Sequence, residues 1–317
     1  MLYPPKLLKK NKTNKVGKLK GLVKKVTFIA KNVIFIKNFS NVNRDNLNKN
    51  NFSKSPIILK YPKSNTLFSD NEFELKIISG RDKLLEEAQL LRYQSFFENE
   101  NSTNKSLRID SDQYDYFSEH LVVIDKSYSS NKVVGTYRLL NSQKLPKNVD
   151  LYTSTEFNIE NLLAKNEKIL EVGRSCVDKN YRDGRIIKLL WRGLASQIVS
   201  QNADLVIGCA SFFENNVDKI KDELSYLIHF HCPPKNYDSF PLTSKKVNLE
   251  IVKKEDLELK KVFRKLPPLI KAYTRTGAWI GKGAVLDDLF NTIDVCIILK
   301  SKNMHKKYLN LAKEIGR

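Results

Sequence analysis

At 317 residues with 41% apolar side chains, the chain is long enough to bury a core and too apolar to be a disordered protein. Its formal net charge of +20 is concentrated in residues 1–70, which hold 16 of the 55 basic but 2 of the 35 acidic side chains and so carry +14, against +6 for the remainder. A nearly balanced body with a basic leading arm argues against a uniformly basic nucleic-acid-binding protein, so no nucleic-acid partner is expected.

The basic arm contains a predicted amphipathic helix at residues 18–37. Apolar residues recur there with helical spacing, and the lysines fall mostly on the other face. Such a helix can lie on an anionic membrane surface, where each well-placed lysine adds about 1 kcal/mol, or it can pack on the domain. Residues 38–70, rich in Asn, Ser and Lys, are interpreted as a linker. We therefore predict an extension at 1–70 and one domain at 71–317.

The body alternates predicted strands with predicted helices. Strands are predicted at Phe73–Ser79, His120–Asp125, Lys132–Leu140, Ile169–Val177, Asp204–Phe212 and Asp294–Lys300. Helices are predicted at Asp82–Glu98, Phe157–Lys165, Gly184–Gln201, Asp218–His231 and Leu266–Trp279. A strand, a helix and a strand in that order require a crossover and hence a parallel pair, and the short connection at 126–131 favours a hairpin. The pattern predicts a mixed α/β sheet flanked by helices.

Cysteine usage and the absence of targeting patterns point to the cytosol. The four cysteines include no C-x-x-C pair, and the start of the chain does not resemble a cleavable secretory signal. No apolar run reaches the roughly 20 residues of a membrane-spanning helix. We expect reduced thiols in a cytoplasmic protein that does not cross a bilayer, with peripheral contact at the cytoplasmic membrane face if the basic helix binds lipid.

A phosphate-binding turn is predicted between the strand that ends at Val177 and the helix that follows. Backbone N–H groups and the positive end of the helix dipole favour an anion at such a point. Arg182 and Arg185 add positive charge, and Gly184 lets the backbone approach a ligand closely. Because many α/β turns contain Arg and Gly, a purely structural turn is the alternative.

Several acidic residues are candidates for binding or catalysis. Asp112 and Asp115 lie in a polar loop, where they could bind a cationic substrate or form an ordinary solvated surface. Glu171 and His120 differ, since each lies near the start of an otherwise apolar strand. A buried acid costs free energy unless it is paired or functional, and Arg174 is a candidate partner for Glu171.

The segment His229-Phe-His231-Cys232 contains metal-ligand residue types. The chain has two further histidines, His120 and His305, and no second Cys/His pair with ligand spacing. We therefore favour a structural or substrate-loop role and predict no metal.

Several separate blocks, in one order, resemble the ornithine acyl carrier protein N-acyltransferases. The blocks cover most of residues 73–300 and together are far more specific than any single motif. They are Val134-Gly-Thr-Tyr-Arg-Leu-Leu140, Glu156-Phe157, Leu170-Glu-Val-Gly-Arg-Ser-Cys-Val177, Tyr181-Arg-Asp-Gly184, Leu189-Leu-Trp-Arg-Gly-Leu-Ala195, Gly208-Cys-Ala-Ser-Phe212, Leu266-Pro-Pro-Leu-Ile-Lys-Ala-Tyr273, Gly277-Ala-Trp-Ile280 and Phe290-Asn-Thr-Ile-Asp-Val-Cys296.

The same frame is similar, more distantly, to the acyl-homoserine lactone synthases. The positions shared with that family are Arg92 in the first helix, Asp112 with Asp115, Arg138, and Glu171 with Arg174. Both resemblances imply a GNAT-like α/β fold, with a central splayed sheet flanked by helices and here a basic N-terminal extension. They place the splay between the strand of Glu171 and the strand of Ser211.

The resemblance implies transfer of a 3-hydroxyacyl chain from acyl carrier protein to the α-amino group of ornithine, giving a lyso-ornithine lipid. Acyl carrier protein, through its 4′-phosphopantetheine thioester, and ornithine are then the partners, and no bound cofactor is expected. Glu171 is the first candidate to take the proton of the attacking amine, with His120 second and Arg174 beside them in the catalytic set.

The remaining site residues are assigned by the same resemblance. The donor would be held by the thioester-facing strand end and the basic turn, a set formed by Ser175, Cys176, Val177, Arg182, Gly184 and Arg185. An acceptor-binding or architectural role is assigned to Arg92, Asp112, Asp115, Arg138 and Ser211, without a choice between the two roles. Direct transfer is expected rather than a covalent acyl-enzyme on Cys176.

Three alternatives stay open at the level of sequence. An acyl-homoserine lactone synthase would use S-adenosylmethionine, but the longer chain and the blocks between Leu266 and Cys296 weigh against it. Another N-acyl amino acid synthase would differ only in its acceptor. A catalytically silent membrane- or nucleic-acid-binding protein is the alternative outside the enzymes.

Overall fold

The structure is a computed structural model that describes residues 64–80, 82–97, 109–128, 132–304, 308 and 310. The predicted basic helix at 18–37 lies outside the described residues, as do His305 and most of the predicted linker. Within the described ranges, no helix combines the length and the apolar character needed to cross a membrane.

Eleven strands occur in the described part of the chain. They are β1 (Asn65–Ser69), β2 (Phe73–Ser79), β3 (Glu119–Asp125), β4 (Lys132–Asn141), β5 (Phe157–Asn158), β6 (Ile169–Val177), β7 (Leu205–Phe212), β8 (Phe240–Pro241), β9 (Trp279–Ile280), β10 (Val285–Asp287) and β11 (Thr292–Lys300). The α-helices are α1 (Leu84–Phe97), α2 (Glu160–Leu163), α3 (Arg185–Ser200), α4 (Lys221–Phe230), α5 (Leu259–Lys265) and α6 (Pro268–Thr276).

Nine of these strands form one mixed sheet in the order β1-β2-β3-β4-β6-β7-β11-β10, with β9 paired to β11. Every neighbouring pair is antiparallel except β6 and β7, which run parallel and are joined through α3. The predicted hairpin of β3 and β4 and the predicted parallel crossover are therefore both confirmed. The central sheet flanked by helices confirms the predicted fold class.

Helices cover both faces of the sheet, and the alternation of side chains along β3 explains why. Leu121 points to the face packed against α3, and Val122 points to the face packed against α1, so every residue of β3 is buried. Helix α3 lies very close to the sheet at Gly135, where a Cβ would come within 2.4 Å of the Ile186 side chain. This close packing anchors α3 beside the end of β6, where the site lies.

Two segments of the chain differ from the sequence prediction. Strand β1 pairs with β2 from Asn65 onward, so the sheet begins inside the segment interpreted as a linker. The predicted helix at 157–165 is instead the two-residue strand β5 followed by the single turn α2. Short edge strands carry little periodicity, and their pairing depends on residues far away in the chain.

Candidate active site

The parallel strands β6 and β7 separate shortly after they pair. Their register has three positions and ends at Glu171 opposite Ile207. Beyond it, β6 bulges against β4, and Arg174 takes the left-handed conformation with φ of 52°. A Cβ on Gly208 would lie 2.2 Å from the carbonyl oxygen of Val172, so only glycine fits at this point of β7. The predicted splay is confirmed, and Glu171 lies at its vertex.

A cavity of about 1070 Å³ occupies the splay. It is lined by β6 from Glu171 to Val177, by β7 from Gly208 to Ser211, and by the first turns of α3. Beyond Glu171, β6 has no further register with β7, so part of its backbone edge faces the gap. An extended chain with amide groups, such as a pantetheine arm, matches such an edge.

The carboxylate of Glu171 is buried and accepts three hydrogen bonds. Its Oε1 accepts from the backbone N–H of Thr153 at 2.5 Å and from the Thr153 hydroxyl, and its Oε2 accepts from the N–H of Tyr152 at 2.8 Å. Burial raises the pKa of Glu171, although these hydrogen bonds act in the opposite direction. A carboxylate fixed in position with a raised pKa is suited to take a proton from a bound amine.

His120, the second candidate base, does not line the cavity in the described structure. It is fully buried, with Nε2 3.3 Å from the carbonyl oxygen of Asp115. Burial, together with the nearby Arg92, lowers the pKa of His120 to about 4, although Asp115 acts in the opposite direction. The imidazole is therefore neutral at physiological pH, and the geometry favours Glu171 over His120 as the base.

Three arginines and three aspartates form a closed ring beside the cavity, which we call the charge ring. Each arginine contacts two of the aspartates, and each aspartate contacts two of the arginines, so formal charges balance. The contacts are Arg92–Asp110 at 2.7 Å, Arg92–Asp115 at 2.8 Å, Arg138–Asp115 at 3.0 Å, Arg138–Asp112 at 2.6 Å, Arg174–Asp112 at 3.0 Å and Arg174–Asp110 at 3.1 Å.

The charge ring favours an architectural role for Asp112 and Asp115. Burial alone would raise the pKa of Asp115, but Arg92 and Arg138 hold it well below its usual range. Both aspartates are neutralised by arginines, so neither has a free charge for a substrate. The ring also positions Arg174, whose guanidinium lies 5.1 Å from the centre of the Tyr152 ring, and it ties β4 and β6 to the loop before β3.

The end of the cavity where the donor is predicted to bind, which we call the donor end, lies at the beginning of α3. Gly184 has φ of 98° and begins the helix without a side-chain cap, and both Arg182 and Gly184 line the cavity. Arg185 does not line it in the described structure, since its guanidinium pairs with Asp183 at 2.8 Å and Glu72 at 2.6 Å. Lys188, which the sequence reasoning missed, lines the cavity one turn further along α3.

The other predicted donor residues are all in the cavity wall. Ser175, Cys176 and Val177 line the β6 side. Burial raises the pKa of the Cys176 thiol to about 12, so the thiol is protonated at neutral pH and is a poor nucleophile. This favours direct transfer over a covalent acyl-enzyme.

Three buried acids near the cavity were not predicted as site residues, although Glu156 and Asp294 lie in blocks shared with the family. Asp287 and Asp294 line the cavity with Ser211, and Glu156 lies beside them. Asp294 follows the same signal that singled out Glu171, an acid inside an otherwise apolar strand, and it could have been found in that way. Glu156 and Asp287 lie in irregular or very short elements, where no periodicity marks them as buried.

The sequence was also compared with known protein families and with known proteins. The acetyltransferase (GNAT) domain family matches residues 91–192. An L-ornithine N(alpha)-acyltransferase of Agrobacterium fabrum is 34% identical over 243 residues, covering 74% of this chain and 83% of that protein. The protein of the same name from Brucella abortus is 32% identical over 246 residues, covering 75% of this chain and 87% of that protein.

Among solved structures, a CoA-dependent acyl-homoserine lactone synthase, BjaI, with SAM and isopentyl-CoA aligns with a TM-score of 0.42 and 14% identity. The alignment covers 76% of this chain and 88% of that one. This likeness is too weak to support any statement about substrates.

Proposed function

This chain belongs to the L-ornithine N(alpha)-acyltransferases, and from that premise we propose that it transfers a 3-hydroxyacyl chain from acyl carrier protein to the α-amino group of ornithine. The product is then a lyso-ornithine lipid. Membership of the family makes the chain an acyltransferase, and ornithine as acceptor follows from the names of the relatives. The donor and the product are our inference.

The observation that carries the proposal is the vertex of the splay, where a buried carboxylate meets an unpaired strand edge. A thioester-bearing tether in the gap between β6 and β7 would lie along residues 172–177 and bring its carbonyl close to Glu171. The tether's phosphate would be near Arg182, Lys188 and the start of α3, where positive charge and the helix dipole favour it.

In the proposed reaction, the amine gives up two protons, one to Glu171 and one to the leaving thiolate. The α-amino group of ornithine is mostly protonated at neutral pH, so Glu171 first takes one proton, directly or through a water. The free amine attacks the thioester carbonyl, the N–C bond forms, and N–H groups near Cys176 or Val177 stabilise the oxyanion. The C–S bond then breaks, and the second amine proton goes to the departing thiolate.

Acyl carrier protein as donor is supported by charge as well as by the resemblance. Acyl carrier proteins are acidic, and the donor end of the cavity presents Arg182 and Lys188. A basic surface at this position would attract an acidic carrier and raise its association rate. A preference of the purified enzyme for the carrier-bound thioester over the CoA thioester would support this, and an equal or reversed preference would contradict it.

The test of the mechanism is Glu171→Gln, assayed with a 3-hydroxyacyl carrier thioester and ornithine by thiol release and by mass spectrometry of the product. Loss of a general base predicts a decrease in kcat of about 10²- to 10⁴-fold with little change in donor KM. Glu160→Gln, at an exposed position on α2, is the matched control and should keep the parental rate.

Because Glu171 accepts from three donors, the Gln variant also needs a folding control. Its melting temperature should be measured, together with the activity of Glu171→Asp, which keeps a carboxylate. Equal rates in a folded Glu171→Gln and in the parent would exclude Glu171 as the base. An inactive parent would instead contradict the proposed reaction itself.

We also propose that the basic segment 18–37 brings the enzyme to an anionic membrane, where an acyl-ornithine product would partition. The proposal is supported by helical amphipathicity in the sequence alone. Removal of residues 1–60 should reduce sedimentation with anionic vesicles while in-solution activity persists. Unchanged sedimentation would contradict the proposal.

A further inference from the structure

Glu156, Asp287 and Asp294, which we call the acidic trio, form a second cluster of buried charge. One carboxylate oxygen from each residue lies within 4.8 Å of one oxygen from each of the other two. They come from three places in the chain: Glu156 just before β5, Asp287 at the end of β10, and Asp294 on β11. Unlike the charge ring, the cluster contains no basic side chain, and none of its members forms an ion pair within the described ranges.

Two members of the acidic trio accept hydrogen bonds from neighbouring groups, whereas the third lacks such partners. Oδ1 of Asp294 accepts from the Thr292 hydroxyl at 2.8 Å, and Oδ1 of Asp287 accepts from the N–H of Leu289 at 2.8 Å. Glu156 is 0% exposed, and apart from the nearby Cys209 thiol, which is a weak donor, neither of its carboxylate oxygens has a hydrogen-bond partner among the described residues. A buried, unpartnered carboxylate directed at two others is costly unless a cation joins them.

The acidic trio is within reach of the reacting groups. Asp287 and Asp294 line the same cavity as Glu171. Along β7, Glu171 is level with Ile207, and Cys209, whose thiol interacts with Glu156, lies two residues further on. Two residues of a strand rise about 7 Å, a distance that an amino acid with a three-methylene side chain can bridge.

We propose that the acidic trio binds the side-chain ammonium of the acceptor amino acid and so selects a cationic acceptor over a neutral one. This rests on the proposed function, because it takes the acceptor's α-amino group to be the one that is acylated beside Glu171. An ammonium donates three hydrogen bonds, one for each carboxylate of the trio. Its charge also offsets the repulsion among the three acids.

The electrostatics of the empty site agree with this role. Burial, with Asp294 and Asp287 as the next causes, raises the pKa of Glu156 to about 7. Burial, together with Asp287, raises the pKa of Asp294 to about 6. Glu156, and to a lesser extent Asp294, therefore holds a proton close to neutral pH in substrate-free enzyme, and the positive charge of a bound ammonium favours its release.

The test compares ornithine with norvaline, which has the same carbon chain without the side-chain ammonium. Wild-type enzyme should use ornithine with a kcat/KM at least about a hundredfold higher, because a site built for a buried charge rejects the analogue that lacks it. Glu156→Gln and Asp294→Asn should each lower kcat/KM for ornithine by about tenfold or more and leave that for norvaline within about threefold. Glu160→Gln, as before, should change neither.

The outcomes separate this inference from the proposed function. An enzyme that acylates neither amino acid contradicts the proposed function. An enzyme that acylates both equally well contradicts the inference alone, and this comparison needs no variant. Retention of the full preference by a folded Glu156→Gln also overturns the inference. So does a divalent metal that co-purifies with the parent, is lost from Glu156→Gln, and on removal by chelator abolishes the preference.

Discussion

The charge ring and the acidic trio each contain three buried carboxyl groups, but they differ in the balance between acidic and basic side chains. Three arginines match the three aspartates of the ring, so each charge is paired inside the protein. In the trio, Glu156, Asp287 and Asp294 face one another and form no ion pair with a basic side chain among the described residues, and two of them line the cavity. A balanced cluster stabilises the architecture, whereas an unbalanced one at a cavity wall indicates a place for a ligand's charge.

The largest expected effect comes from opening the charge ring. Arg92→Ala removes one of the two arginines that contact each of Asp110 and Asp115 and leaves excess negative charge buried, which should reduce the free energy of unfolding by about 3–5 kcal/mol. Urea denaturation measures this difference. As a control, Arg185→Ala removes a solvent-exposed arginine and should leave the transition unchanged. An Arg92→Ala variant as stable as the parent would show that the charge ring does not stabilise the fold.

A second, smaller expected effect is the pH dependence of stability, which has opposite signs for the two clusters. The raised pKa of Glu156 means that the folded enzyme holds a proton the unfolded chain has released. Stability is therefore lost as pH rises from about 4.5 through about 7, on the order of 1–3 kcal/mol. The lowered pKa of Asp115 acts oppositely, and its stabilisation is lost as pH falls below the usual aspartate range.

Glu156→Gln measures how much of this pH dependence of stability comes from the acidic trio. With the titrating carboxyl removed, substrate-free enzyme should lose less stability between about pH 4.5 and 7 than the parent, although Asp294, Asp287 and Lys245 still face the site. Thermal melting across that range provides the measurement. Parallel curves for variant and parent would contradict the raised pKa and weaken the contrast with the ring.

The smallest effect should come from Arg174, which belongs to the ring but also lines the cavity. Arg174→Lys keeps the charge opposite Asp112 but loses the planar fork and the stacking on Tyr152, so a loss of about 1 kcal/mol in stability and a severalfold rise in ornithine KM are expected. Arg92→Lys, whose position is outside the cavity wall, should affect stability alone. Identical KM changes in both variants would erase the functional distinction within the ring.

Much of the central frame was predictable because its signals are local. Strand β6 was predicted with its observed bounds from an apolar run, and α3 differs from its prediction by one residue at each end. Glu171 was singled out as an acid within such a run, and the structure places it at the cavity. The short strands β8, β9 and β10 were not predicted, since runs of two or three residues have no measurable period.

Sequence by itself determined the order of the long strands and helices, the family, and the residues of β6 that line the cavity, because these depend on neighbouring residues or on matching blocks in one order. Only the tertiary structure decided which charges are paired. Asp112 meets Arg174 across 62 positions, and Glu156 meets Asp294 across a stretch more than twice as long. The physical reason is that a carboxylate's role depends on the burial and the charges around it, and those are set by residues that the fold alone brings together.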